Sequence, residues 1–434
     1  MKHDEFKRRR RQLMRMVGQE GIAILPAAPP RTLSRDVEYR FRQDSDFFYL
    51  TGFEEPEAVA VLIPNRISGE YLLFCRDKNP DKEQWEGVRA GQEGAINKFG
   101  ADDAFPIEDL DDILPGIMES CTRVFYTMGV YSEFDSRMAE WVNTLRSRLR
   151  RGSKTPHEFI ALDHLLHDMR LYKSRSELSA MRKSVKVAVK AHERAMRITE
   201  PGLFEYEIEA EFTHEFRKNC AFNSYNPIVG SGKNSCILHY VKNDKKLENG
   251  ELLLVDAGCE LDYYASDITR TFPVNGKFSP EQLGIYEIVL SAQEAAIEKT
   301  VVGNHWNEPH DAAVRVITKG LKKLGLLEGS LSNLLKTEAY KTFYMHRTGH
   351  WIGMDVHDVG DYKVGNEWRI LEAGMVTTVE PGIYIGNSSK VPRAFRNIGI
   401  RIEDNVVVTK KGPDVISKSL VKEPDQIESL MKVG

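Results

Sequence analysis

The chain has 434 residues, more than one hydrophobic core usually supports, and so predicts two domains. Its 41% hydrophobic and 29% charged residues fit a globular protein in water, and no apolar run approaches the length of a membrane span. A net charge of -4, from 60 basic and 64 acidic residues, argues against a nucleic-acid partner, which would favour a basic domain.

The first segment predicts a helix. Phe6, Leu13 and Val17 share one face, Asp4 and Glu5 suit the first turn, and the run Arg8-Arg9-Arg10-Arg11 is expected on the solvent side. The N-terminus has no apolar signal-peptide core, and Asp4 and Glu5 speak against a mitochondrial presequence. Cys75, Cys121, Cys220, Cys236 and Cys259 form no C-x-x-C pair and are odd in number, as expected for reduced thiols in a cytoplasm.

Residues 1–168 read as a smaller mixed α/β N-terminal domain. Strands are predicted over 21–25, 58–63 and 71–74, the last two joined as a hairpin across a turn-rich stretch. A helix is predicted over 133–149 with Ser132 as its cap, followed by a break over 150–156. Residues 169–434 form the second domain. It opens with the capping box Ser174-Arg175-Ser176-Glu177, behind which Leu178, Met181, Val185, Ala188, His192 and Ala195 recur at helical spacing. Further helices are predicted over 205–219, 280–300 and 310–324, and the C-terminal part is rich in strands.

Four elements of this second domain carry chemistry. Asp256 ends the apolar run Leu252 to Val255, and a strand–turn–strand hairpin through Gly258 would bring it to Asp267. Either aspartate alone reads as a turn cap, but a carboxylate at the end of a buried strand is costly unless paired or coordinated. His346, His350 and His357 then cluster between glycines, although the chain has only 12 histidines. Glu380 ends a β-branched run before Pro381-Gly382. Finally, strand alternation over 398–408 puts Ile400 and Ile402 on one face and Arg401 and Glu403 on the other. Carboxylates with one imidazole favour a hard cation such as Mn²⁺ over a thiolate-type zinc. Four carboxylates would balance two divalent ions, which together acidify a shared water. The residues thus imply metal-assisted hydrolysis and leave the substrate open.

In this order the four elements resemble the pita-bread metallopeptidases, a group that includes methionine aminopeptidase, prolidase and aminopeptidase P. The strings Tyr225-Asn226-Pro227-Ile228, Ile237-Leu238-His239-Tyr240, Val255-Asp256-Ala257-Gly258, Asp267-Ile268-Thr269-Arg270, His350-Trp351-Ile352-Gly353, Val379-Glu380-Pro381-Gly382 and Gly399-Ile400-Arg401-Ile402-Glu403 carry the likeness. With residues 39–53 of the first domain they resemble the bacterial Xaa-Pro aminopeptidase (aminopeptidase P) family over nearly the whole chain.

The resemblance implies an α+β pita-bread (creatinase/aminopeptidase-like) catalytic domain. It implies that Asp256, Asp267 and Glu403 hold one metal ion and Asp267, His350, Glu380 and Glu403 the other, with a hydroxide bridging the two. Glu380 is then the general base. His239 and His357 would hold the scissile carbonyl, His346 would be a further active-site histidine, and Tyr384 and Arg401 would support ligands or substrate. The implied substrates are peptides with proline second, and the implied assembly is a homodimer or homotetramer, with Trp85 a candidate for the interface. Prolidase shares the cage and is the nearest alternative. A non-catalytic peptide-binding protein on the same fold would be expected to have lost ligands that this chain keeps. One local difference from relatives, Arg347-Thr348-Gly349, falls between His346 and His350 and touches no ligand.

Overall fold

The structure, a computed structural model, describes residues 3–119, 121–148, 155–388 and 390–432. The chain divides into two compact units, Met1–Met169 and Arg170–Gly434. Most of the break expected over 150–156 lies outside the described residues. No helix of the described residues is long and apolar enough to cross a membrane.

The first unit is built on a six-stranded mixed sheet. Val59–Leu62 and Tyr71–Cys75 pair antiparallel, as the hairpin pattern predicts, and Val59–Leu62 pairs antiparallel with Gly21–Pro26. Arg123–Phe125 and Glu158–Ile160 extend the sheet in parallel on one side and Asp103–Pro106 on the other. The apolar side chains of these strands pack with Leu114, Met118, Met138 and Trp141 into one core. The helix Ser132–Ser147 starts one residue earlier than expected, so Ser132 lies inside it and Tyr131 takes the cap position without a side-chain bond.

The opening helix His3–Val17 buries Phe6, Leu13 and Val17 as predicted. Its arginine run departs from the expectation. Arg8 and Arg11 face solvent, but Arg9 is 0% exposed and Arg10 is also buried. Arg9 Nη1 donates to the Tyr49 carbonyl at 2.9 Å, and its guanidinium lies 3.9 Å from the centre of the Tyr49 ring. Arg10 Nη1 donates to the Leu50 carbonyl at 2.9 Å and stacks on Tyr71 at 4.1 Å. Both accepting carbonyls belong to the short helix Ser45–Thr51, whose last turn leaves carbonyls without helical partners. Two cations therefore close a helix C-terminus, where positive charge is favoured, while their stems lie on aromatic faces.

In the second unit, Arg175–Ile198 begins with both bonds of the Ser174–Glu177 capping box and packs against Glu205–Lys218. Pro280–Lys299 and Glu308–Lys323 pack against each other as a second helix pair, close to the predicted limits. Around them run short antiparallel strands. Leu252–Asp256 sits between Ile228–Ser231 and Thr269–Pro273, while Val376–Val379 pairs with Asp404–Thr409 and Gly382–Ile385 with Ile398–Arg401. One large apolar core joins helices and strands. The strand expected over 398–408 is interrupted. It ends at Arg401 and restarts at Asp404 with a different partner, leaving Glu403 in the break.

The buried arginines give a first test. Arg9→Ala would leave the Tyr49 carbonyl without its donor and should cost about 2–3 kcal/mol, whereas Arg11→Ala should stay within about 0.5 kcal/mol. Urea unfolding followed by tryptophan fluorescence measures both, and equal midpoints for the two variants would refute the distinction.

Candidate metal centre

The five predicted cage residues come from strand ends and the loops beside them. Asp256 closes its strand opposite Thr269, and two residues before Thr269 the chain presents Asp267. The connection between them is not a simple turn. It folds into its own small hairpin, Cys259–Leu261 against Tyr264–Ala265. The chain can double back there because residue 258 is glycine: a Cβ at Gly258 would stand 1.8 Å from the Ser266 carbonyl oxygen. Gly349 has the same task before His350, since a Cβ there would stand 2.1 Å from the Thr378 carbonyl oxygen. Backbone bonds from Thr378 to the His350 carbonyl and from Glu380 to the Thr348 carbonyl fix that approach, so the stretch Arg347-Thr348-Gly349, expected to touch no ligand, in fact bonds Glu380 through its backbone.

Asp256, Asp267, His350, Glu380 and Glu403 all line one cavity of about 610 Å³, together with His239, His346, His357 and Arg401. Ligand-type atoms of Asp267, His350 and Glu403 lie within 4.8 Å of one another. His350 Nε2 is 3.3 Å from Asp267 and 3.6 Å from Glu380. Its Nδ1 faces the Trp351 carbonyl at 2.9 Å; donation there leaves Nε2 as the atom turned to the carboxylates, where it is free to take a metal ion once its proton is lost. Asp256 faces Arg401 Nη2 at 2.6 Å. Arg401 and Glu403 thus point into the same cavity despite the strand break between them.

Arg401 organises one side of the site. Besides Asp256 it donates to the Tyr384 hydroxyl at 2.9 Å and to Thr269 Oγ1 at 3.2 Å, and Thr269 Oγ1 donates to Glu403 at 2.7 Å. The Tyr384 hydroxyl lies 2.9 Å from His346 Nε2, while His346 Nδ1 faces the Arg347 carbonyl at 2.7 Å. Burial, helped by the field of Arg401, pushes His346 down to about 3 and keeps it neutral. Tyr384 therefore accepts from Arg401 and donates to His346. The His357 ring packs edge-on against His350, with centroids 4.4 Å apart.

Four carboxylates crowd this cavity. Burial raises Asp256 above the usual range, against the pull of Arg401. Burial and the neighbouring carboxylates drive Glu403 up, and burial lifts Glu380 to about 7. Asp267 stays low despite its burial because of the His350 hydrogen bond. For His350, burial works against the charge, but the bond to Asp267 and the field of Glu380 override it and raise the group to about 9. The site is short of positive charge. Hard oxygen donors, one oriented imidazole and an unmet need for cations fit divalent metal ions.

Some participants were given no role by the sequence, although Tyr225 and Thr269 lie in strings that carry the likeness. The Tyr225 hydroxyl lies 2.5 Å from both Asp256 and Asp267. Its place just before the strand that pairs with Asp256 was the available clue. Thr269 and Thr378 sit inside β-branched runs that look like ordinary strand interior, yet Thr378 Oγ1 donates to Glu380 at 3.3 Å. Trp306, Tyr362 and Trp368 add aromatic wall to the cavity.

Fold and site together define a pita-bread metallopeptidase. Residues 179–410 match Metallopeptidase family M24 and residues 6–126 match the aminopeptidase P N-terminal domain. The chain belongs to family M24, in its bacterial aminopeptidase P branch. It is 43% identical to the Xaa-Pro aminopeptidase of Escherichia coli K12 over 429 residues, covering 98% of this chain and 97% of that protein. It is 34% identical to rat Xaa-Pro aminopeptidase 3, covering 98% of this chain and 85% of that one. Among solved structures, the Pseudomonas aeruginosa aminopeptidase PepP is 57% identical with a TM-score of 0.99, covering 100% of this chain and 98% of its own.

The protonation pattern has a consequence for metal loading. A histidine ligand must be neutral, and His350 at about 9 holds a proton at neutral pH. Metal uptake at pH 7.5 should therefore release protons, and apparent affinity should rise with pH up to about 9 and fall on acidification. Titration calorimetry in buffers of different ionisation enthalpy measures the release; a binding heat independent of buffer would contradict it.

Proposed function

We propose that the chain removes the N-terminal residue from peptides whose second residue is proline, using two Mn²⁺ ions. The reading rests above all on the convergence of Asp256, Asp267, His350, Glu380 and Glu403 in one cavity with too little positive charge of its own. The relatives' names, Xaa-Pro aminopeptidase, point to the same bond. In this reading Asp256, Asp267 and Glu403 hold one ion, and Asp267, His350, Glu380 and Glu403 the other. Two bound divalent ions would supply a water acidified to near neutral pH.

The remaining residues serve the substrate. Glu380, lifted towards neutrality, is suited to take and return a proton. His239 and His357 face the cavity and hold the scissile carbonyl as charge develops on its oxygen. His346, kept neutral and tied through Tyr384 to Arg401, fixes the opposite wall. The Xaa–Pro bond is a tertiary amide without an N–H. Recognition therefore falls on its carbonyl and on the apolar pyrrolidine ring, which imidazole faces and the Tyr384 side can accept.

The domain limits that go with this reading are 1–168 for the aminopeptidase-P-type domain and 169–434 for the catalytic domain. A cytoplasmic location fits five cysteines that form no disulfide. We also read the protein as a homodimer or homotetramer. Trp85 is 89% exposed, so it does not cover its own unit and is available to a second copy.

Two measurements test these statements. With added Mn²⁺, the enzyme should release the first residue from Xaa-Pro-Xaa tripeptides; cleavage of Gly-Pro dipeptide alone would reassign it as a dipeptidase, and no cleavage with metal bound would make it a binding protein. By light scattering, Trp85→Ala should lower the molar mass of the assembly, and an unchanged mass would remove Trp85 from the interface.

A further inference from the structure

Outside the metal centre, the carboxylate of Glu205 is buried and densely hydrogen-bonded yet has no part in the chemistry above. It is 0% exposed and stands in the first turn of the helix Glu205–Lys218. Among the described residues it has no ion-pair partner: Lys245, the nearby cation in sequence, turns its ammonium to Glu251 and offers Glu205 only its backbone N–H. A buried carboxylate without a counter-ion needs several hydrogen bonds to stay charged, and the helix N-terminus adds to them.

Those bonds all come from one stretch of chain. Glu205 Oε1 accepts from the Ser231 backbone N–H at 2.7 Å, from Ser231 Oγ at 2.9 Å and from Asn234 Nδ2 at 3.1 Å. Glu205 Oε2 accepts from the Tyr240 hydroxyl at 2.8 Å and from the Lys245 N–H at 2.9 Å. Ser231 ends the strand that pairs with Leu252–Asp256. Tyr240 adjoins His239, whose side chain lines the cavity. Between the grips the tip of the loop is open, with Ile237 and Val241 about half exposed. His239 itself is exposed, while its neighbours Leu238 and Tyr240 pack partly buried against Ile228, Leu254 and Tyr384, and Asn243 anchors the far end of the loop to Val229 and Pro227.

We propose that Glu205 is a positioning residue for catalysis: it locks the loop over residues 231–245 and so holds His239 at the substrate carbonyl. This rests on the role given to His239 in the proposed function. The carboxylate ties the loop to the end of the strand Ile228–Ser231, which pairs with the strand that carries Asp256, and it is the one group that bonds both Ser231 before His239 and Tyr240 directly after it. A misplacement of about 1 Å in such a group can cost a hundredfold in rate.

The test is a double-mutant cycle on the metal-loaded, full-length enzyme with an Xaa-Pro-Xaa tripeptide. Glu205→Gln keeps the shape but aims an amide N–H₂ where the Lys245 N–H needs an acceptor. It should lower kcat and kcat/KM together by about tenfold to a hundredfold, with metal stoichiometry unchanged. His239→Ala should also lose activity. The double variant should be no slower than His239→Ala alone, because the lost function is the same one. Losses that multiply, or a Glu205→Gln enzyme with unchanged kcat/KM, would overturn the proposal. Should Glu205→Gln fail to fold, Tyr240→Phe removes one grip and leaves the carboxylate in place; it must couple to His239→Ala in the same way, and independent losses would again overturn the assignment. Unchanged kcat/KM in His239→Ala would sink this proposal while tripeptide cleavage by the unmutated enzyme still stood, so the two readings fail separately.

Discussion

The structure is organised around the mutual repulsion of four carboxylates, three of them buried and Glu380 partly so. Asp256, Asp267, Glu380 and Glu403 share one cavity, and burial makes their charges act strongly on one another. Such a group is stable only if the surrounding chain brings it cations or protons. Arg401 supplies one fixed positive charge and His350 a second that depends on protonation. The remaining deficit is what makes the cavity a receptor for divalent ions. It also explains why the ligands cannot come from flexible segments: a chain free to move would spread the charges apart.

The backbone meets that demand through close approach. The carboxylates sit at the ends of antiparallel strands whose partners are themselves held by the large apolar core. At Gly258 and Gly349 the chain passes another backbone too closely for any side chain. The break between Arg401 and Asp404 has a related logic. By changing partners there, the chain turns both Arg401 and Glu403 into the cavity, while Ile400 and Ile402 remain in the core. Beneath them Arg270 and Asp404 form a fully buried ion pair, with Arg270 also donating to the Glu403 carbonyl at 2.7 Å. The cage is thus braced from behind by charge as well as by packing.

Much of this was legible in the residues. Asp256 stood out because a carboxylate closing a four-residue apolar run needs a reason to be there. The histidine cluster stood out by its density. Chain order then joined residues that each looked like a turn cap. What pattern could not show was contact across distance. Tyr225 and Thr269 look unremarkable until the strands pair, since a hydroxyl has no sequence context that separates a site role from a surface one. The arginine run misled for a related reason. Four adjacent charges suggest a solvated face, but on a helix Arg9 and Arg10 turn towards the side that packs on Ser45–Thr51. Their burial depends on two carbonyls some forty residues away, and nothing local announces it.

The site also divides its work between two kinds of backbone. Residues that must hold fixed relative positions, the cage carboxylates and Arg401, stand on strands or directly beside them. His239 and His357, which line the same cavity and to which the proposed function gives the substrate, stand on loops. Loops tolerate motion and variation, which suits a surface that must admit peptides of different sequence. A catalytic imidazole, however, needs the accuracy of a scaffold. The chain resolves this conflict in the same way on both sides. Glu205 grips the loop that bears His239, and Asp358, next to His357, is gripped by Arg170 at 2.5 Å and Lys173 at 2.9 Å. Asp358, Arg170 and Lys173 are all buried, and their charges hold the Asp358 carboxyl below its usual range despite that burial. In each case a buried carboxylate beneath an open loop gives a mobile-looking histidine a fixed address.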